Sequence, residues 1–204
     1  MTDQPHIYLI TPPVIDLAAF ASPLAACLDA VPVACLRLSL VTSSEDAILR
    51  AGDLVRDLAH GRDVAVVIDR HVALAERLGL DGVHLPDGAR SLLAARKALG
   101  ADAIIGTHCG DSRHDGMNAG EMGADYVAFG PVAPGALGVG RAAPLDLFQW
   151  WSAMIEVPVV AEGGLTADLV RTLAPHADFL AFGPEVWEAP DPVAALRALT
   201  AALR

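Results

Sequence analysis

Eight short apolar runs alternate along the chain with longer stretches of helical periodicity. The runs are "HIYLIT" (His6–Thr11), "VACLRLSLV" (Val33–Val41), "VAVVID" (Val64–Asp69), "GVHLP" (Gly82–Pro86), "AIIGTHC" (Ala103–Cys109), "YVAFGP" (Tyr126–Pro131), "VPVVAEGG" (Val157–Gly164) and "FLAFGP" (Phe179–Pro184). Continuous apolar runs closed by turn residues predict strands buried on both faces. Between them, "SSEDAILRAGDLVRDLAHG" opens on a serine N-cap followed by acids and stops at Gly61. "RSLLAARKALG" and "TADLVRTLA" follow the same helical pattern, and "DPVAALRALTAALR" places proline in the first helical position behind an aspartate. Buried strands alternating with amphipathic helices imply a parallel sheet covered by helices. Eight such units predict a closed (β/α)8 TIM barrel, with an open doubly wound sheet as the alternative. No linker or low-complexity tract interrupts the pattern, so residues 1–204 are expected to form a single barrel domain. "ADYVAFGPVA" and "ADFLAFGPEV" are nearly the same decapeptide two βα units apart, and fall on the sixth and eighth strands.

Composition narrows the class. The 204 residues are 53% hydrophobic and 19% charged, which fits a compact globule with a full-sized core. No run approaches the roughly 18–20 apolar residues of a membrane helix. The start, "MTDQPHIYLI", lacks the basic-then-apolar pattern of a signal peptide. Three cysteines without zinc-ligand spacing fit a reducing cytoplasm, the expected location. A net charge of −11 argues against nucleic acid and anionic membrane as partners. It does not argue against a phosphorylated small molecule, because backbone N–H groups bind phosphate without net positive charge. Association into a homo-oligomer is left open.

The chemistry of a barrel gathers at the C-terminal ends of its strands, with phosphate commonly after strands seven and eight. Those ends carry Thr11, Arg37, Ser39, Asp69, His84, Asp87, His108, Gly130, Glu162, Gly163, Gly164, Gly183 and Glu185. "EGGLTADL" is the sharpest local feature: its glycines permit close backbone approach, and Thr166 can cap the next helix; an ordinary tight βα turn would look the same. His84 and His108 end neighbouring strands, where they can exchange protons near neutral pH or simply make structural hydrogen bonds. Glu162 and Glu185 form either a paired-carboxylate site or a pair in which one is held by an arginine. Asp69 and Asp87 offer oxygen ligands for Mg²⁺, unless Asp69 pairs with Arg70 or Arg37 and Asp87 caps the following helix. Arg141 follows the glycine-rich "PGALGVG" and can close over a phosphate or remain a solvated loop arginine. Cys109, Asp111 and His114 in "HCGDSRH" match no zinc spacing. Trp150 and Trp151 are expected to pack an outer helix on the barrel.

"IYLIT", "DGVHLP", "GADYVAFGPV", "VPVVAEGGLT" and "HADFLAFGPEVW", in this order and spacing, make the chain resemble the thiamine phosphate synthase / thiazole tautomerase family over nearly its whole length. The resemblance implies a (β/α)8 barrel. It implies a transferase of thiamine biosynthesis that joins hydroxymethylpyrimidine diphosphate to a thiazole phosphate and releases pyrophosphate with Mg²⁺. It assigns Arg37 to the diphosphate, Asp69 and Asp87 to the metal, and the loops of Gly163, Gly164 and Gly183 to phosphate. The family pattern Gln-x-Arg-x-Lys is here "CLRLS", with Cys35 and Ser39 in place of glutamine and lysine. Its Asn-Asp pair is Ile68-Asp69, and its Gly-Gln-Glu-Asp run is "PDGA", with Asp87 about two residues early. A conserved serine falls on His108, a usually apolar position on Glu162, and the Val-Ser pair on Gly183-Pro184. The threonines and lysine of the loop after strand six are replaced by "PGALG". The sole lysine, Lys97, lies on a helix remote from this loop, so leaving pyrophosphate would meet few cations, and Pro184 has no N–H to donate. These departures keep two alternatives open: a tautomerase or isomerase using His108, His84 or Glu162 as base, and a non-catalytic binder of thiamine-related phosphates.

Overall fold

The computed structural model of the protein describes residues 4–133 and 141–203. Strands β1 (His6–Ile10), β2 (Val33–Leu38), β3 (Ala65–Asp69), β4 (Gly82–Leu85), β5 (Ile104–His108), β6 (Tyr126–Phe129), β7 (Val159–Glu162) and β8 (Phe179–Phe182) close into one barrel in sequence order. Every pairing is parallel, and β1 completes the ring against β8 through Ile7–Leu180 and Leu9–Phe182. This is the (β/α)8 TIM barrel expected from the eightfold alternation. The strands are shorter than the apolar runs, most clearly β2, which stops at Leu38 rather than Val41. Beyond the last ladder partner the chain turns into loops: Leu40 still packs against the core, while Val41 is exposed.

Helices α1 (Leu17–Ala30), α2 (Glu45–His60), α3 (Val72–Leu78), α4 (Leu92–Leu99), α5 (Arg113–Glu121), α6 (Leu145–Met154) and α7 (Ala167–Leu173) cover the barrel, followed by the short α8 (Pro184–Trp187) and α9 (Pro192–Ala201). The predicted caps are made: Ser44 Oγ accepts from Ala47 N, Thr166 Oγ1 from Leu169 N, and Asp191 Oδ1 from Ala194 N. Each such cap contributes about 1 kcal/mol. The main core lies between strands and helices, where Trp151 of α6 is buried edge-on to Phe129 and donates Nε1–H to Val157 O at 2.8 Å. A second, smaller cluster of Tyr8, Cys35, Val67, Tyr126, Ala128, Val160 and Ala181 fills the barrel interior.

The repeated decapeptides have a structural origin. Asp125 and Asp178, immediately before β6 and β8, reach back to accept an amide at the start of β5 and β7: Ile105 N at 2.6 Å and Val159 N at 2.8 Å. Asp81, before β4, does the same for Val66 N of β3 at 2.6 Å. These latches lie at the N-terminal end of the barrel, away from the face that carries chemistry in this fold. A latch is a charge-assisted hydrogen bond on an otherwise unpaired amide, which explains an acid before an even-numbered strand without invoking a ligand.

Candidate active site

Side chains along a strand alternate in and out of the barrel, so residues two apart share a face. Cys35 and Arg37, Val67 and Asp69, Gly82 and His84, Gly106 and His108, Val160 and Glu162 form such pairs. The second member of each pair lies nearer the C-terminal mouth. Two of these residues, Asp69 and Glu162, meet at Arg37. Its Nη1 donates to Glu162 Oε2 at 2.9 Å, and its Nε lies 3.3 Å from Asp69 Oδ1. The latter is a charge contact without hydrogen-bond geometry, and both atoms lack any hydrogen-bond partner. Burial opposes charge on Arg37, but Glu162, Tyr8 and Asp69 reverse the balance and hold its pKa above the ordinary arginine value.

Glu162 also accepts from His108, whose Nδ1 stands 2.8 Å from Oε1. Burial alone would raise the Glu162 pKa; Arg37 and the His108 hydrogen bond overcome it and hold the carboxyl far below the usual range. An ionised carboxylate can only accept, so Nδ1 of His108 carries the hydrogen and Nε2 is left for other chemistry. Glu162, offered by the sequence as one of three candidate bases, is tied through its two oxygens to Arg37 and His108. Burial lifts the Asp69 carboxyl above its ordinary value, opposed by Arg37 and Ser39.

His84 is buried deeper. Its Nδ1 lies 2.9 Å from Tyr126 Oη, which is 2.8 Å from Tyr8 Oη, giving a hydrogen-bonded chain across the barrel interior. Burial, with Arg37 nearby, pushes its pKa well below the ordinary histidine value and keeps it neutral. Gly106 makes room for this chain, since a Cβ there would sit 1.8 Å from Tyr126 Cζ. The structure thus separates the two expected histidines: His84 belongs to the floor, and His108 to the open wall.

A cavity of about 240 Å³ is lined by Ile10, Arg37, His108, Glu162 and the loops containing Gly163, Gly183 and Glu185. His108 also borders a second cavity of about 400 Å³ with Asp87, Arg90 and Asp111. Gly163 and Gly164 have φ of 82° and 83°, the left-handed region that glycine alone enters freely. That turn aims Gly164 N and Leu165 N at Glu185 Oε1, at 2.6 and 3.0 Å, while Gly183 N donates to Oε2 at 2.9 Å. Glu185 and Glu162 are each bound to separate partners, so the expected paired-carboxylate site is not formed. The alternative in which an arginine holds one of them describes Glu162.

Asp87 does not cap α4. Its Oδ2 accepts from Ser91 Oγ at 2.7 Å, and its Oδ1 is buried without a hydrogen-bond partner. Arg141 is 92% exposed and lies 3.6 Å from Asp111. The glycine-rich segment before it, 134–140, lies outside the described residues. Trp150 is partly buried and stacks under the Arg113 guanidinium at 4.9 Å. Sequence reasoning missed Tyr8 and Tyr126. Both had the look of ordinary strand apolars, and only the inward alternation beside His84 could have singled them out.

Comparison with known proteins decides the family. The thiamine monophosphate synthase family model matches residues 7–184. The chain belongs to this family. A thiamine-phosphate synthase of Rhodospirillum centenum is 47% identical over 192 residues, covering 93% of this chain and 92% of the relative. One of Hyphomonas neptunium is 41% identical over 217 residues, covering 98% and 97%. In three dimensions, thiamine phosphate pyrophosphorylase from Pyrococcus furiosus superposes with a TM-score of 0.81 at 22% identity, covering 97% of this chain and 95% of that one. At that identity the likeness speaks to the fold, and the barrel of this family is the one described above. No helix among the described residues is long and apolar enough to cross a membrane.

Proposed function

We propose that this chain is a transferase of thiamine biosynthesis that joins hydroxymethylpyrimidine diphosphate to thiazole phosphate and releases pyrophosphate. Membership of the thiamine monophosphate synthase family and near full-length relatives named thiamine-phosphate synthase support it. The observation that carries it at the site is Arg37, fixed between Asp69 and Glu162 at the mouth of a cavity bordered by the glycine turns of β7 and β8. In the reaction the carbon–oxygen bond to the diphosphate breaks and its electron pair leaves with pyrophosphate. The thiazole nitrogen donates the pair that forms the new carbon–nitrogen bond.

Asp69 and Asp87 are the residues that would hold Mg²⁺: Asp87 presents a buried Oδ1 with no hydrogen-bond partner, Asp69 would offer the carboxylate whose Oδ1 faces Arg37 Nε at 3.3 Å, and one or two carboxylates plus substrate phosphates suffice for this ion. Bound there, Mg²⁺ would neutralise charge developing on the diphosphate. Arg37 orients the diphosphate and adds a fixed positive charge that costs no reorganisation. His108, steered through Nδ1 by Glu162, presents Nε2 to the phosphate oxygens and supplies a proton as pyrophosphate departs. This histidine takes over part of the task for which the chain has no nearby lysine. Gly163, Gly164 and Gly183 seat the thiazole phosphate, and Arg141 reaches it only by leaving Asp111, from which it stands 3.6 Å. The protein works as a single cytoplasmic barrel domain, alone or as a homo-oligomer.

The His108–Glu162 pair also favours a second reading, proton transfer on a phosphorylated thiazole with His108 Nε2 as base. Phosphorus NMR of the protein with Mg²⁺ and both substrates separates the two. Growth of a pyrophosphate signal matched by thiamine phosphate, absent in Asp69→Ala, is expected. Unchanged resonances beside a working control synthase would sink the transferase reading. A chelator-insensitive exchange abolished by His108→Ala would install the isomerase. Binding without any turnover would leave a carrier of thiamine-related phosphates.

A further inference from the structure

The chain places its own anion where the reaction needs a substrate's. Gly164 N, Leu165 N and Gly183 N converge from the loops after β7 and β8, the region where phosphate commonly sits in this fold. All three hydrogen bonds end on the Glu185 carboxylate, at 2.6, 3.0 and 2.9 Å. Glu185 also lines the cavity that holds Arg37 and His108, so its carboxylate stands at the edge of the reaction chamber. The neighbouring residue cannot add a fourth donor, because Pro184 has no N–H. A carboxylate and a phosphate dianion cannot share these three donors, and their charges repel at such a distance.

We propose that Glu185 is an internal competitor for the phosphate seat: a phosphorylated thiazole binds by displacing this carboxylate from the three amides, and the carboxylate returns as the phosphorylated product leaves. The proposal rests on the reading that one substrate carries a phosphate ester. Displacement costs part of the ester's binding energy, so Glu185 raises the dissociation constant of the ester and of inorganic phosphate alike. It leaves an unphosphorylated thiazole alcohol untouched. The diphosphate, directed to Arg37 on the other side of the cavity, is affected little.

Calorimetric titrations of wild type, Glu185→Gln and Glu185→Ala with thiazole phosphate, the thiazole alcohol and inorganic phosphate test this. The expected result is tighter binding of thiazole phosphate by about tenfold or more in Glu185→Ala. Glu185→Gln should fall between, because its amide oxygen still accepts but carries no charge. The alcohol's affinity should not change. Ester binding that is unchanged or weaker in both variants overturns the proposal, as does an absence of binding to all three proteins. Should the variants fail to fold, nitrogen-15 spectra of the wild type titrated with inorganic phosphate provide the second reading. Saturating shifts at the Gly164, Leu165 and Gly183 amides support displacement; binding that leaves those amides unmoved overturns it. Pyrophosphate release by wild type is scored separately. Its absence would remove the transferase reading while the titrations still decide the role of Glu185.

Discussion

Arg37 Nη1 and Glu162 Oε2 meet at 2.9 Å across the barrel mouth, linking β2 to β7, and both side chains are about nine-tenths shielded from solvent. Removing one member of a buried ion pair leaves an uncompensated charge and costs about 3–5 kcal/mol. Arg37→Ala is expected to lose that much in urea unfolding, since Glu162 and Asp69 are both left facing an empty position. Arg37→Met combined with Glu162→Met should recover much of the loss while remaining inactive. A single-variant cost below about 1 kcal/mol would contradict the buried-pair account.

His108 gives a kinetic prediction. His108→Gln keeps a group able to donate to Glu162 but cannot transfer a proton, so kcat should fall by roughly 10²–10⁴-fold. The KM for thiazole phosphate should change little. Glu162→Gln should lower kcat, because a neutral amide oxygen holds the His108 Nδ1–H less firmly than a carboxylate does. An unaltered kcat would reduce Glu162 to a structural residue.

The Asp69 and Asp87 carboxylates predict a metal dependence. Mg²⁺ should tighten binding of the diphosphate substrate to wild type, and Asp69→Asn should abolish that gain. Asp87→Asn should reduce it. Titration of the diphosphate with and without a chelator measures both, and a gain that survives in Asp69→Asn removes this residue from the metal site.

His84 couples stability to pH. Its folded pKa is depressed by burial, whereas unfolding restores a value near ~6.5. As pH falls the unfolded chain takes up the proton first. The His84 contribution is therefore complete above pH ~6.5 and declines below it by about 1.4 kcal/mol per pH unit until the folded pKa is reached. His84→Gln should flatten this slope between about pH 6.5 and 5 relative to wild type, as read from denaturant unfolding at each pH. Equal slopes would mean that His84 is not held neutral.

The aspartate latches predict the opposite of a catalytic phenotype. Asp178→Ala leaves Val159 N unpaired and should cost about 1–3 kcal/mol. The KM values should not move, because the latch lies at the far end of the barrel. A large change in KM without a loss of stability would refute a structural role.

The sequence by itself determined the barrel. Eight apolar runs with capped amphipathic segments between them admit few other closed arrangements, and the caps at Ser44, Thr166 and Asp191 were readable because capping is local. It also brought Arg37, Asp69, His108 and Glu162 to the strand ends, since a strand end is a position along the chain. Tertiary structure alone decided which of these groups meet. Glu162 is tied to Arg37, 125 residues earlier, and no local pattern encodes that pairing. His84 and His108 look alike in sequence, yet the tyrosines of β1 and β6 bury one while the other lines the cavity. Glu185 reads as a strand-end acid that could pair with Glu162 until the loops after β7 and β8 fold together and turn three amides onto it. Periodicity and caps act over a few residues, where the chain itself fixes the geometry. Charge pairing and burial act through space, and only barrel closure sets those distances.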